Sequence, residues 1–163
     1  MNYKYLFASI CLLISLWIYV FYRIEQTLIN RMIIAITSPL FFKEARQLMQ
    51  DALKLPNFII YSLPEGLWVF AVTIISENLT IRFKKIQISI IYMPLVVAYF
   101  IELIQYLSWS KGTFDWLDVM VIMSFWTLGY IYVKNNDTSK TIKPKLIYVL
   151  LTYIMIVLSY VWK

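Results

Sequence analysis

The sequence predicts an all-α fold: a polytopic bundle of transmembrane helices. Three observations predict it. Hydrophobic residues make up 61% of the 163 residues and charged residues 15%, against about 45–50% and about 25% in soluble domains. Five apolar runs of 17 to 22 residues follow one another along the chain, near the roughly 20 that a helix needs to cross a bilayer. Tyrosines and tryptophans collect at the run ends (Tyr3, Tyr5, Tyr106, Trp109, Trp116, Tyr130, Tyr132, Tyr160 and Trp162), where amphipathic rings favour the headgroup layer.

The first run, residues 5–22, is charge-free between Lys4 and Arg23. It reads as an uncleaved anchor, because it ends in bulky Trp17, Tyr19, Phe21 and Tyr22 and has no small-x-small cleavage site. In the connection that follows, Ser38-Pro39 is an N-cap with proline at the first helical position. From there Phe41, Ala45, Leu48, Met49, Ala52 and Leu55 recur at steps of three and four, with Lys43, Glu44, Arg46, Gln47, Gln50 and Asp51 between them. That spacing predicts an amphipathic helix over 39–55, stopped by Pro56, which either lies in the membrane interface or packs on the protein's own helices. The second run, 58–76, is interrupted at Pro64-Glu65-Gly66. The third, 86–107, has Glu102 as its only charge and Pro94 as an expected kink. The fourth, 114–133, opens with Asp115 and Asp118, and the fifth is 146–162. The whole chain, 1–163, reads as one integral membrane domain.

Orientation follows the lysines and arginines of short loops. Arg82, Lys84 and Lys85 follow the second run and Lys134, Lys140, Lys143 and Lys145 the fourth, whereas only Lys111 follows the third. The expected topology in a bacterial cytoplasmic membrane therefore has the amino terminus inside and the carboxyl terminus outside. The connection after the first run, with Arg23, Arg31, Lys43, Arg46 and Lys54, runs against this choice, but it is long and partly helical. The net charge of +6 then meets anionic headgroups. No basic stripe marks a soluble face, so nucleic acid is not an expected partner. The absence of histidine and the single Cys11 exclude Ser-His, Cys-His and His-metal chemistry, an intrachain disulfide and any CxxC site.

Four acids fall toward the same end of the bundle by alternation of the spans: Glu65, Glu102, Asp115 and Asp118. A charge at mid-bilayer costs about 2.5–3.5 kcal/mol on insertion scales, so each needs a reason. Ser62-Leu63-Pro64-Glu65 has the capping-box pattern, and Asp115 and Asp118 stand where a helix dipole favours anions. Glu102, near the C-terminal end of its helix, has neither benefit. The expectation is one polar pocket in which Glu102, Asp115 and Asp118 are the candidate catalytic groups. Gln105, Glu65 at the edge and Lys111 in the loop are candidate substrate-binding groups. The 39–55 helix is expected to lie across that end.

Glu102-Leu-Ile-Gln105, a short loop and then Gly112-Thr-Phe-Asp115-Trp-Leu-Asp118 resembles the signature of the VanZ-like membrane proteins: Glu-x-x-Gln ending one helix and Asp-x-x-Asp opening the next. The resemblance covers residues 99–129, with Lys111-Gly112 and Ile122 standing where the family carries other residues. It implies a small polytopic protein of the cell envelope.

Three functions follow as expectations. The first is a membrane site acting on a lipid-linked or headgroup-bearing molecule at the outer leaflet, with membrane lipids as partners. The second is a non-catalytic membrane partner or assembly factor, in which the acids are helix glue. The third is a small proton-coupled carrier. No cofactor and no resident metal are expected, although an oxygen-only ligand set would suit Mg²⁺ or Ca²⁺.

Overall fold

The computed structural model describes residues 3–23, 28–77, 79–83, 86–109 and 113–135, together with 149, 152–154 and 156 of the C-terminal segment. The described residues form seven α-helices, one 3-10 turn and a two-stranded hairpin. In chain order they are α1 (Tyr3–Tyr22), α2 (Leu28–Ile36), α3 (Pro39–Ala52), α4 (Asn57–Tyr61), α5 (Leu63–Ile75), β1 (Thr80–Phe83), β2 (Ile86–Ser89), α6 (Met93–Tyr106) and α7 (Trp116–Asn135). Among them α1 and α7 are long and apolar enough to cross a membrane. The two coincide with the first and fourth apolar runs.

The other runs depart from simple spans, each for a local reason. The second breaks at Ser62 into α4 and α5. Pro64 has no N–H to give to the carbonyl four residues back, and the helical ladder resumes with Gly66 N–H donating to the Ser62 carbonyl at 3.2 Å. The third does not begin as a helix. Ile86–Ser89 pairs antiparallel with Thr80–Phe83, Phe83 opposite Ile86 and Thr80 opposite Ser89, and a 3-10 turn over Ile90–Tyr92 precedes α6. Both strands alternate apolar and polar residues with period two, the strand signal. Pro94 opens α6 in its first turn, where a missing N–H costs nothing, and so does not kink it. The fifth run lies almost wholly outside the described residues.

Helix α5 is the centre of the structure, packed against α1 on one side and α7 on the other, with α6 alongside. Its Trp68, Val69 and Val72 form a core with Ala98 of α6, Ile122 of α7 and Ile156, while Ala71 and Ile74 meet Ala8 and Cys11 of α1. A helix enclosed in this way is apolar all round. Contact between α5 and α7 depends on two glycines: a Cβ on Gly66 would stand 2.6 Å from the Phe125 ring, and one on Gly129 would stand 3.1 Å from the Thr73 Cβ.

The outer helices show an inverted pattern. Helix α1 buries Ala8, Cys11 and Ser15 and exposes Phe7, Ile10, Leu13 and Ile14, although near its end Ile18, Tyr19 and Val20 are also buried. Helix α6 buries Ala98 and Glu102 and exposes Val96, Phe100 and Leu103, and α7 buries Asp118, Ile122 and Gly129 and exposes Met120, Met123, Leu128 and Ile131. Small or polar side chains inside and large apolar ones outside is how helices pack when their surroundings are themselves apolar.

Helix α1 is tied to α5 along its length. Lys4 Nζ lies 3.0 Å from both carboxylate oxygens of Glu77, just past the end of α5. Ser15 Oγ donates to the Pro64 carbonyl at 2.8 Å, and Arg23 reaches Glu65 at 3.2 Å. The 19 residues from Lys4 to Arg23 span about 28 Å of helix, against about 18 Å from Glu65 to Glu77.

Helix α3 begins as its sequence predicts, with Phe41 N–H donating to Ser38 Oγ at 3.2 Å and Pro39 in the first turn. It ends at Ala52 rather than at 55, because Leu55 precedes proline and is barred from the helical region. Its buried side chains are Phe42 and Arg46, not the Phe41–Leu48 stripe, which is exposed. Gln50 Nε2 donates to the Phe21 carbonyl at 2.7 Å and Tyr22 O–H to the Leu53 carbonyl at 2.8 Å, fixing α3 to the end of α1.

Candidate functional site

Three helix ends meet beside Arg23. Glu65 stands in the first turn of α5. Glu102 lies four residues before the end of α6, about 6 Å into it. Asp118 is the third residue of α7. Because α5 and α7 run away from this end and α6 runs toward it, all three carboxyls reach similar depth. One oxygen from each lies within 4.8 Å of the other two. The residues are 3%, 2% and 7% exposed respectively. Among the described residues, neither oxygen of Glu102 nor Oδ1 of Asp118 makes a hydrogen bond of good geometry; the Asp115 backbone interacts with Glu102 and the Ser62 hydroxyl with Asp118.

Arg23 supplies the neighbouring positive charge. Besides Glu65 it donates to the Tyr61 carbonyl, and its guanidinium lies 5.5 Å from the ring centres of both Tyr19 and Tyr61. Two aromatic faces and a carbonyl hold the cation in place. Arg46 of α3 donates in turn to the Arg23 backbone carbonyl and lies over the Phe42 ring, so α3 braces the site from its own end. With all acids ionised, three carboxylates and one guanidinium leave two net negative charges in a space that excludes water.

The exit from α6 is sharply shaped. Ser108 adopts φ 58°, its N–H bonds to the Gln105 carbonyl at 2.9 Å, and the Trp109 N–H bonds to the Ile104 carbonyl at 3.0 Å. This pair of bonds is a Schellman closure built on a non-glycine residue. Beyond it the Phe114 ring packs edge-on against Tyr106 at 5.3 Å and against Trp116 at 5.2 Å, holding the ends of α6 and α7 together.

Of the residues singled out in the sequence, the fold brings Glu65, Glu102 and Asp118 together and leaves others out. Asp115 is exposed, and its Oδ1 accepts the Leu117 N–H at 3.0 Å. It caps α7 and does not enter the pocket, because a cap turns its side chain back onto the backbone. Gln105 is half-buried in the last turn of α6, three residues beyond Glu102. Lys111 lies outside the described residues. Glu65, expected at the edge, is a full member. The capping box does not form, since the Ser62 side chain makes no cap hydrogen bond and Glu65 turns to Arg23 instead. The sequence reading missed Arg23 and Arg46. The signal for Arg23 was its position as the first charge after a charge-free run, on the same end as the acids.

No family model, no curated protein and no solved structure matches this chain. The chemistry of the site therefore rests on its geometry. Buried carboxylates beside an arginine bind cationic groups and exchange protons; nucleophilic acyl transfer has no histidine-based machinery here.

Proposed function

We propose that this is a polytopic membrane protein whose Glu65–Glu102–Asp118 pocket, at the outer end of the bundle, binds and acts on a headgroup-bearing or lipid-linked molecule of the cell envelope. The observation that carries this reading is Glu102. Glu65 has a structural reason to be charged, its pair with Arg23, whereas Glu102 is buried from a helix C-terminal end with both oxygens unbonded. A carboxyl kept at such expense with no ion pair and no close hydrogen bond suits a proton-transfer or ligand-binding role. The inverted packing of α1, α6 and α7 supports the membrane, since so much exposed apolar surface would drive association in water. The resemblance at residues 99–129 points to the same compartment and adds no substrate.

The test compares envelope lipids in wild type, a deletion strain and Glu102→Gln, with the amount of protein in the membrane measured in each. Deletion and Glu102→Gln should share one altered lipid profile while the variant accumulates normally. Identical profiles in all three strains would remove the lipid reading. An altered deletion profile with Glu102→Gln behaving as wild type would assign the acids to helix adhesion, because an amide still hydrogen-bonds, and the chain would be a non-catalytic membrane partner.

A further inference from the structure

We infer that the Glu65–Glu102–Asp118 triad is a site for one hard divalent cation, of the Mg²⁺ or Ca²⁺ class. Acids gathered at one place do not make a site, and the inference rests on what surrounds them. Glu102 is 2% exposed with both oxygens lacking a partner, and Oδ1 of Asp118 also lacks one. Because both Glu102 oxygens lack a close partner, the one that faces Glu65 and Asp118 is an unbonded buried acceptor. The spacing fits: oxygens within 4.8 Å of one another match the roughly 3–5 Å between ligands of a cation held at about 2.0–2.6 Å from each.

Charge fits as well. With all three acids ionised, the Arg23 guanidinium at 3.2 Å from Glu65 leaves two negative charges, which one divalent ion cancels and one monovalent ion does not. An oxygen-only donor set selects hard cations and disfavours zinc or copper. Three helices contribute one ligand each, so the ion would cross-link α5, α6 and α7 at their common end. Ions of this class take phosphate oxygens as further ligands, which connects the site to phosphate-bearing headgroups. The inference itself stands on the triad and not on the lipid reading.

The experiment titrates Mn²⁺ into the full chain in phosphatidylcholine nanodiscs, following free Mn²⁺ by electron paramagnetic resonance. One saturable equivalent is expected, displaced by Mg²⁺ or Ca²⁺ and not by Na⁺ at equal ionic strength; the better competitor identifies the physiological ion. Glu102→Gln and Asp118→Asn should each weaken binding about tenfold or more through the lost ligand charge, whereas Glu44→Gln, at an exposed acid of α3, should not. In parallel, Mn²⁺ should raise the melting midpoint of the unaltered protein, a readout that needs no variant to fold. Absence of a saturable site, unchanged binding in both triad variants, or an unmoved midpoint each overturns the inference. Lipid profiles play no part in it, so the cation site and the lipid function fail separately.

Discussion

Gly66 and Glu65 are neighbours in α5 with opposite demands: one must have no side chain, the other must bury a charged one. A Cβ at position 66 would meet the Phe125 ring at 2.6 and 2.8 Å and the Val121 methyl at 2.8 Å. In an open helix, glycine to alanine gains about 0.8–1.0 kcal/mol. Here overpacking, typically about 1–3 kcal/mol, outweighs it, so the sign reverses. Gly66→Ala should lower the melting midpoint in detergent, and a raised midpoint would show that α7 yields freely. Because α7 carries Asp118, the same substitution pushes that carboxylate away from Glu65. Packing of this kind is invisible in the sequence: Pro64-Glu65-Gly66 looks like an interruption of an apolar run and is where α5 lies too close to α7 for a side chain at Gly66. Asp115 and Asp118 show the converse. Both stand at a helix start in sequence, and only the fold separates the cap from the pocket.

Elements with their own periodicity were legible. The charge-free run before Arg23 became α1, the run from Phe114 became α7, and Ser38-Pro39 began α3. Helix α3 carries three faces: Phe42 and Arg46 against the protein, Lys43, Glu44 and Gln47 toward water, and Phe41, Leu48 and Ala52 apolar and uncovered. Packing on the protein's own helices therefore uses a different stripe from the one the sequence picks out. On the membrane reading proposed above, the apolar stripe faces the lipid interface, as in amphipathic helices of this kind. A fluorophore on Leu48→Cys, in a Cys11→Ser background in nanodiscs, should emit at shorter wavelength and be quenched by a shallow spin-labelled lipid. The same probe on Lys43→Cys should report water. Equal spectra at the two positions would mean that α3 stands clear of the bilayer. The hairpin β1–β2 was missed although both strands alternate with period two, because each has only four residues and Ile86–Ser89 leads through Ile90–Tyr92 into the apolar residues of α6, so the whole stretch passes for one apolar run.

For the whole molecule, the acids meet because alternate helices reverse direction, so ends that are distant in sequence share one side. That rule holds whichever side faces out, and the basic residues must decide the side. Ser110→Cys should react with an impermeant thiol reagent on intact cells, in a Cys11→Ser background, and Ser139→Cys only after the cells are opened. The reverse pattern would invert the molecule and place the triad at the cytoplasmic face, leaving the bundle unchanged. Ion pairs at both ends of α5, Lys4–Glu77 and Arg23–Glu65, tie α1 to the centre in either orientation.

By itself the sequence determined the apolar class of this protein, the positions of its two long helices, the start of α3 and the end of the bundle toward which the acids face. Those depend on composition, on period and on the alternation of spans, all of which act locally or by counting. Only the tertiary structure decided that Glu65, Glu102 and Asp118 converge while Asp115 turns outward, that Arg23 stands beside them, and that the interrupted run is the core. Those are matters of angle and distance between helices, set by where two glycines let α5 and α7 touch, and a one-dimensional pattern carries no such angles.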